Sequence, residues 1–190
     1  MTKSILLVGV GGQGTILAGK IITSGLLSAG YDVKMSEIHG MSQRGGSVST
    51  HVRYGERVQS PVIELGGADL LVAFELMEAV RWLEYKKPDG LLIVNNYKIK
   101  PMPVLIGSAV YSNDLLNALR GYSDIFEIDG FNESAAHGGV ITMNLLLLGA
   151  AVTKAGLGSI EWNKIIESEV KQNFWDVNKR AFERGCELAK

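Results

Sequence analysis

Ile5-Leu6-Leu7-Val8 is an unbroken apolar run that ends on Gly9. A strand with one wet face would alternate, so this run predicts a strand buried on both faces of a parallel sheet. Gly9 to Gly14 interrupts it. Beyond the glycines, Leu17, Ile21, Ile22, Gly25 and Leu26 fall on one face of a helix predicted over Thr15–Ala29, with Gly30 placed to cap its end. Tyr31–Met35 predicts a second strand. Strand, glycine loop, helix and strand form a βαβ unit, for which a right-handed crossover is expected.

Residues 36–47 follow neither the helical nor the strand period and are rich in glycine and polar groups, which predicts a loop. Val48–Tyr54 alternates as a half-exposed strand would, and Gly55-Glu56 suits a turn before Val58. Asp69–Phe74, Leu91–Val94 and Ile125–Ile128 read as further strands. Helices are predicted over Glu75–Tyr85, Gly138–Ala155, Ser159–Val170 and Asp176–Leu188. No internal repeat and no proline- and serine-rich linker divides the 190 residues. The expectation is a single α/β, Rossmann-like domain spanning 1–190. Its sheet is mainly parallel with helices on both faces, and a short antiparallel excursion falls near residues 48–60.

Composition narrows the function classes. Hydrophobic residues make up 46 % and charged ones 21 %, the balance of a folded globular chain. Lys and Arg number 19 against 20 Asp and Glu, with no basic block, so a nucleic acid is not an expected partner. The longest apolar stretch, Leu145–Val152, falls short of the roughly 20 residues of a membrane span. The N-terminal Met-Thr-Lys-Ser-Ile-Leu-Leu-Val lacks the length and cleavage site of a signal peptide, so a cytoplasmic location is expected. The one cysteine, Cys186, cannot form an internal disulfide or supply the thiolates of an iron–sulfur cluster, and reads as a small residue of the last helix.

Two segments carry candidate chemistry. Gly9-Val10-Gly11-Gly12-Gln13-Gly14 fits G-x-G-x-x-G with a strand before it and a helix, opening at Thr15, behind it. Glycines permit a tight turn and close backbone approach, and the helix start offers unpaired N–H groups to a phosphate. The alternative is a turn kept tight only for packing. The second segment, Ser36 to Ser47, contains His39, Ser42, Gln43 and Arg44 at the end of a strand, where open α/β sheets bind ligands. Arg44 could clamp a phosphate or carboxylate in bidentate fashion, or be a solvated surface residue. His39 and His51 lack a motif partner for catalysis and read as structural, whereas His137, beside two glycines, could face the crevice. Glu37 stands where a ribose-binding acid would in a nicotinamide enzyme. The glycine-rich segment after it and the lack of an evident catalytic domain argue against that use.

Together, Gly9 to Thr15 and the run Glu-Ile-His-Gly-Met-Ser-Gln-Arg-Gly-Gly-Ser-Val from Glu37 to Val48 resemble the gamma-type subunit or domain of 2-oxoacid:ferredoxin oxidoreductases. The second run is most similar to the indolepyruvate type. Further matches are Ser60 to Ile63, Gly67 to Asp69, Ala73 to Glu75 with Glu78, Ala79 and Arg81, Gly139 to Asn144, Leu148-Gly149, and Asn178 with Ala181-Phe182, so the resemblance spans nearly the whole chain. It implies a division of labour. Thiamine diphosphate and iron–sulfur clusters reside on partner subunits, electrons pass to ferredoxin through the complex, and the gamma-type chain helps to dock coenzyme A. By this resemblance the cofactor-binding candidates are Gly9, Gly11, Gly12, Gln13, Gly14, Thr15, Ser42, Gln43, Arg44 and Asn144, with no catalytic or metal-ligating residue on this chain. Three functions stay open: a coenzyme A-binding accessory subunit, a purely structural assembly subunit, and an independent NAD(P)-binding oxidoreductase. Association into a homodimer is open as well.

Overall fold

The computed structural model describes residues 2–40 and 44–190. Six strands form one sheet: β1 (Lys3–Val10), β2 (Asp32–His39), β3 (Ser47–Gly55), β4 (Ala68–Ala73), β5 (Lys86–Asn95) and β6 (Ile125–Ile128). Their spatial order is β2-β3-β1-β4-β5-β6. The ladders β1/β4, β4/β5 and β5/β6 are parallel, whereas β3 runs antiparallel to both neighbours. The antiparallel excursion is therefore one reversed strand in the sheet interior. Its position explains why Val48–Tyr54 is not half-exposed as its alternation predicts: with a neighbour on each edge and layers above and below, Val48 to Val52 are all buried.

The helices are α1 (Thr15–Ser28), α2 (Leu76–Arg81), α3 (Met102–Leu105), α4 (Leu115–Tyr122), α5 (Gly130–His137), α6 (Met143–Lys154), α7 (Trp162–Glu169) and α8 (Trp175–Leu188). The twofold side-chain period of the strands sorts the core into two layers. Ile5, Leu7, Val52, Leu70, Val72 and Ile93 face α1, α6, α7 and α8, whereas Leu6, Val8, Leu71, Ala73, Leu92 and Val94 face α2 and α4. The continuous apolar run of β1 serves both layers, as its pattern predicts.

Several predicted bounds shift for local reasons. The helix expected over Glu75–Tyr85 ends at Arg81 and continues as a 3-10 turn, Leu83–Tyr85. Gly139, with φ +91°, separates α5 from a 3-10 turn at Val140–Thr142, and α6 begins only at Met143. The second strand runs on to His39, because β3 gives it eight register partners from Asp32↔Gly55 to His39↔Val48. The short helices α3, α4 and α5, of four to eight residues, are not among the elements predicted from the sequence.

Two buried polar groups anchor long connections. Glu75 is 1 % exposed, and its carboxylate accepts hydrogen bonds from Glu78 N (3.0 Å), Ile99 N (3.0 Å) and the Tyr111 hydroxyl (2.6 Å). These bonds cap α2 and fasten the 96–113 segment. Burial, and then the bond to Glu75, pushes the Tyr111 phenol well above its ordinary range. His51 lies among Trp82 and Tyr85, accepts from Ile63 N at Nδ1 (3.2 Å), and meets Ser49 Oγ at Nε2 (3.3 Å). It is structural, as its place in the strand suggests.

Glycines set the closest helix contact. A Cβ on Gly149 would lie 2.0 Å from Phe182 O, and one on Gly185 would lie 1.9 Å from Leu146 O, so α6 and α8 touch backbone to backbone. Cys186 is half-buried in this seam, with Sγ 3.4 Å from Gly149 O, and burial raises its thiol pKa. Gly185→Ala is expected to destabilise the chain by about 1–3 kcal/mol through overpacking. A urea titration checks this, since an unchanged midpoint is incompatible with the contact. Burial holds the His51 imidazole below its ordinary 6.5. The unfolded chain thus binds the extra proton as pH falls below 6.5, and this contribution to stability is lost with acidification. His51→Asn, which keeps an acceptor for Ile63 N–H, should flatten the thermal midpoint's dependence on pH between about 6.5 and 5.

The glycine-loop cleft as candidate functional site

The end of β1 feeds straight into the glycine loop. Gly12 and Gly14 have φ of +106° and +79°, values that favour glycine. Gly9 is constrained by space instead, since a Cβ there would lie 2.9 Å from Gln13 Oε1 and 3.0 Å from Phe74 Cβ. Gly11 is pinned across the ladder by Gly11 N–H donating to Gly46 O (2.8 Å) and Gly45 N–H donating to Gly11 O (3.2 Å). The two segments singled out in the sequence are therefore directly joined at 11 and 45–46.

At the start of α1 the first turn has no side-chain cap and no acidic residue. Ala18 N–H reaches Gly14 O (3.0 Å) and Gln13 N–H reaches Val10 O (3.1 Å). The amides of Gly12, Gly14, Thr15, Ile16 and Leu17 have no acceptor among the described residues. Unpaired N–H groups and the positive end of the helix dipole are thus presented together. They border a cleft of about 400 Å³ lined by Gly11, Gly12, Gly14, Thr15, Ile16, Leu17, Lys20, His39 and Val48. Lys20, the one charged residue of α1, is exposed on this rim. The cleft therefore offers backbone donors and a cation to an anion, beside an aliphatic wall from Ile16, Leu17 and Val48.

The sequence-derived candidates distribute unevenly around it. Gly11, Gly12, Gly14 and Thr15 line the cleft, and Gly9 lies beneath it, against Gln13 and Phe74. The Gln13 carboxamide turns inward: Oε1 accepts from Val10 N (2.8 Å) and Nε2 donates to Phe74 O (2.8 Å). Its side chain fastens the loop rather than facing a ligand. Asn144, 6 % exposed at the start of α6, places Nδ2 3.5 Å from Gly14 O, and its Oδ1 has no partner among the described residues. Asn144 therefore backs the loop from behind. Arg44 is exposed beside Gly45, and Ser42 and Gln43 lie outside the described residues.

His39 lines the cleft, its Nδ1 3.1 Å from Gly40 O. His137 does not. It hydrogen-bonds Glu133 O (2.8 Å) on its own helix, next to the Glu133–Arg184 ion pair that holds the Glu133 carboxyl below its ordinary value. Glu37 sits inside β2, paired with Thr50. With β3 between β2 and β1, it is carried about 4.8 Å further from the glycine loop than in a sheet where the two strands are neighbours. The sequence alone does not single out Lys20 or the buried Asn95 at the end of β5. The signal for Lys20 was its isolation as a lone charge in a 14-residue helix.

Comparison with known proteins agrees with this architecture. Residues 4–188 match the family model for pyruvate ferredoxin/flavodoxin oxidoreductase. Subunit IorB of indolepyruvate oxidoreductase from Methanothermobacter thermautotrophicus is 37 % identical, over 97 % of this chain and 96 % of that protein. The corresponding subunit from Pyrococcus horikoshii is 36 % identical, over 98 % and 96 %. Among solved structures, pyruvate oxidoreductase subunit PORC from Thermotoga maritima superposes with a TM-score of 0.74 at 25 % identity, covering 98 % of this chain and 96 % of that one.

Left-handed backbone at the loop predicts the cost of added side chains. Gly14→Ala combines a positive φ with a Cβ only 2.6 Å from Asn144 Nδ2, whereas Gly12→Ala meets nothing within 4 Å. Strain alone costs about 1–3 kcal/mol, so both should lower the denaturation midpoint, Gly14→Ala by more. Equal midpoints for the two variants would contradict the contact with Asn144. With its reach from residue 4 to 188 and its full-length relatives, the chain belongs to the pyruvate ferredoxin/flavodoxin oxidoreductase family, as a small subunit of a 2-oxoacid:ferredoxin oxidoreductase complex.

Proposed function

We propose that this subunit serves a complex converting a 2-oxoacid, coenzyme A and oxidised ferredoxin into acyl-coenzyme A, carbon dioxide and reduced ferredoxin, and that its part is to hold coenzyme A. The observation that carries this reading is the unfilled set of amides at the start of α1, facing a cleft with Lys20 at its rim. A diphosphate supplies the acceptors those donors lack, and the helix dipole and ammonium favour its charge. The aliphatic wall of Ile16, Leu17 and Val48 suits the uncharged remainder of such a ligand. We assign Arg44, next to Gly45 in the sequence, to a charge-assisted contact with a further phosphate.

The chain contributes binding and orientation, not bond cleavage. Its single cysteine falls short of the thiolates an iron–sulfur cluster needs, and no group of three or more His, Cys, Asp or Glu residues among the described ones is arranged to hold a metal ion. Thiamine diphosphate, which stabilises the carbanion left by decarboxylation, and the clusters that carry electrons to ferredoxin are assigned to partner subunits. The indolepyruvate relatives support an arylpyruvate as the 2-oxoacid. Relatives named as 2-oxoglutarate synthase subunits are more distant, at 24–27 % identity.

A purely architectural role is the second reading, favoured by Met102, Leu105, Ile106 and Val110, which are 64–91 % exposed in and after α3. The interposed β3 disfavours the nicotinamide alternative. Calorimetry on the assembled complex separates these readings. Coenzyme A should bind there, dephospho-coenzyme A more weakly, and NADH not at all. Lys20→Ala should weaken coenzyme A about tenfold, equivalent to ~1.4 kcal/mol. Unchanged affinity in both Lys20→Ala and Arg44→Ala would remove the cleft from the mechanism.

A further inference from the structure

Asn95, the last residue of β5, is 0 % exposed and sits where the backbone ladder between β4 and β5 has run out. Its Nδ2 donates to Phe74 O (2.9 Å) and lies 3.3 Å from Met143 Sδ, while its Oδ1 accepts from Gly130 N (3.0 Å). The same Phe74 carbonyl accepts from Gln13 Nε2 (2.8 Å), whose Oε1 takes Val10 N–H (2.8 Å). Two carboxamides thus converge on one carbonyl. They link the end of β1, the residue after β4, the end of β5 and the start of α5 in an unbroken row along the carboxyl edge of the sheet.

The chemistry of the row restricts its members. Each side chain must donate through one atom and accept through another, which Asn and Gln do and an ionised Asp or Glu cannot. A carboxylate at either site would also set its charge against the Phe74 carbonyl in a water-poor environment. Space is equally tight, since a Cβ on Gly130 would lie 2.7 Å from Asn95 Oδ1. The row reaches the glycine loop from two directions. Gln13 holds it through Phe74, and Asn144, which follows the Met143 that Asn95 touches, meets Gly14 from the α6 side.

We propose that Asn95 and Gln13 are positioning residues: through the shared Phe74 carbonyl they fix the glycine loop so that the Gly12, Gly14 and Thr15 amides converge on one ligand phosphate. This rests on the coenzyme A reading of the cleft. Neither side chain touches the ligand; both act through the backbone between them. Misplacing donors by a fraction of an ångström weakens ligand capture without altering chemistry on other subunits.

The test is steady-state kinetics and calorimetry on the assembled complex carrying Asn95→Asp, Gln13→Glu or both, with Lys20→Ala as a control for the cleft itself. Each single variant is expected to raise KM and Kd for coenzyme A by about tenfold or more. The rate at saturating coenzyme A and the KM for the 2-oxoacid should stay within about twofold. The double variant should be no worse than the poorer single one, because both break one link. Should Asn95→Asp fail to assemble, Gln13→Glu and Gln13→Ala, at a less buried residue, must still show the same split. Multiplicative losses in the double variant would mean that Gln13 contacts ligand directly, and would overturn the proposal. So would a lowered thermal midpoint with coenzyme A affinity intact. If Lys20→Ala also leaves affinity unchanged, the coenzyme A reading fails first; if Lys20→Ala weakens binding while Asn95→Asp and Gln13→Glu do not, only the positioning role fails.

Discussion

The site depends on β3 running against β1. In a parallel pair the loops after each strand lie on the same edge, but the start of one strand never meets the end of its neighbour. Reversal changes that. The register from Lys3↔Tyr54 to Val10↔Ser47 delivers the residues before β3 to the end of β1, and two further backbone bonds carry the pairing on to Gly11, Gly45 and Gly46. A glycine turn that could only pack thereby gains a second segment across it, and a cleft forms between the turn, α1, the end of β2 at His39 and the start of β3 at Val48. The same reversed strand pushes β2 outward, which takes Glu37 away from the place where it would select a ribose.

Once the loop is placed, its donors need acceptors. Buried or semi-buried N–H groups without partners are rare because each forfeits a hydrogen bond with water. A helix that opens on Gly14, without a Ser, Thr, Asp or Asn cap and without an acid in its first turn, leaves that need unmet among the described residues. The protein instead spends its available side-chain amides on holding the backbone. Gln13 and Asn144 secure the loop from opposite sides, so the orphan amides are a consequence of how firmly the turn is held in place.

Much of the fold was legible because burial leaves a period in the sequence. The uninterrupted Ile5 to Val8 announced a central strand, the glycine spacing announced a strand–turn–helix, and Leu17 to Leu26 announced the helix after it. Legibility stopped where long-range pairing overrode local pattern. Ser36 to His39 reads as loop in isolation and is strand only because β3 lies alongside. Val48 to Val52 alternates as if one face were wet, yet both are covered. The helices between Asn96 and His137 are short, and the segment that holds them is fastened at Ile99 and Tyr111 by Glu75 and at Gly130 by Asn95, bonds that span 24 to 36 positions in sequence.

The site was legible in a similar way and for a similar reason. Glycines at Gly12 and Gly14 are readable because few other residues tolerate such turns, so composition alone betrays the backbone. Side-chain roles are not. Gln13 stands inside the motif, where a ligand contact is the expectation, whereas its carboxamide is bonded to Val10 and Phe74. Asn95 stands outside any motif, at the end of an ordinary apolar strand, and nothing local distinguishes it from the exposed asparagine expected after a buried run. Only the convergence of two amides on one carbonyl reveals that the loop is held from the sheet as well as from its own glycines. A motif names the turn, and the surrounding sheet decides which way its amides face.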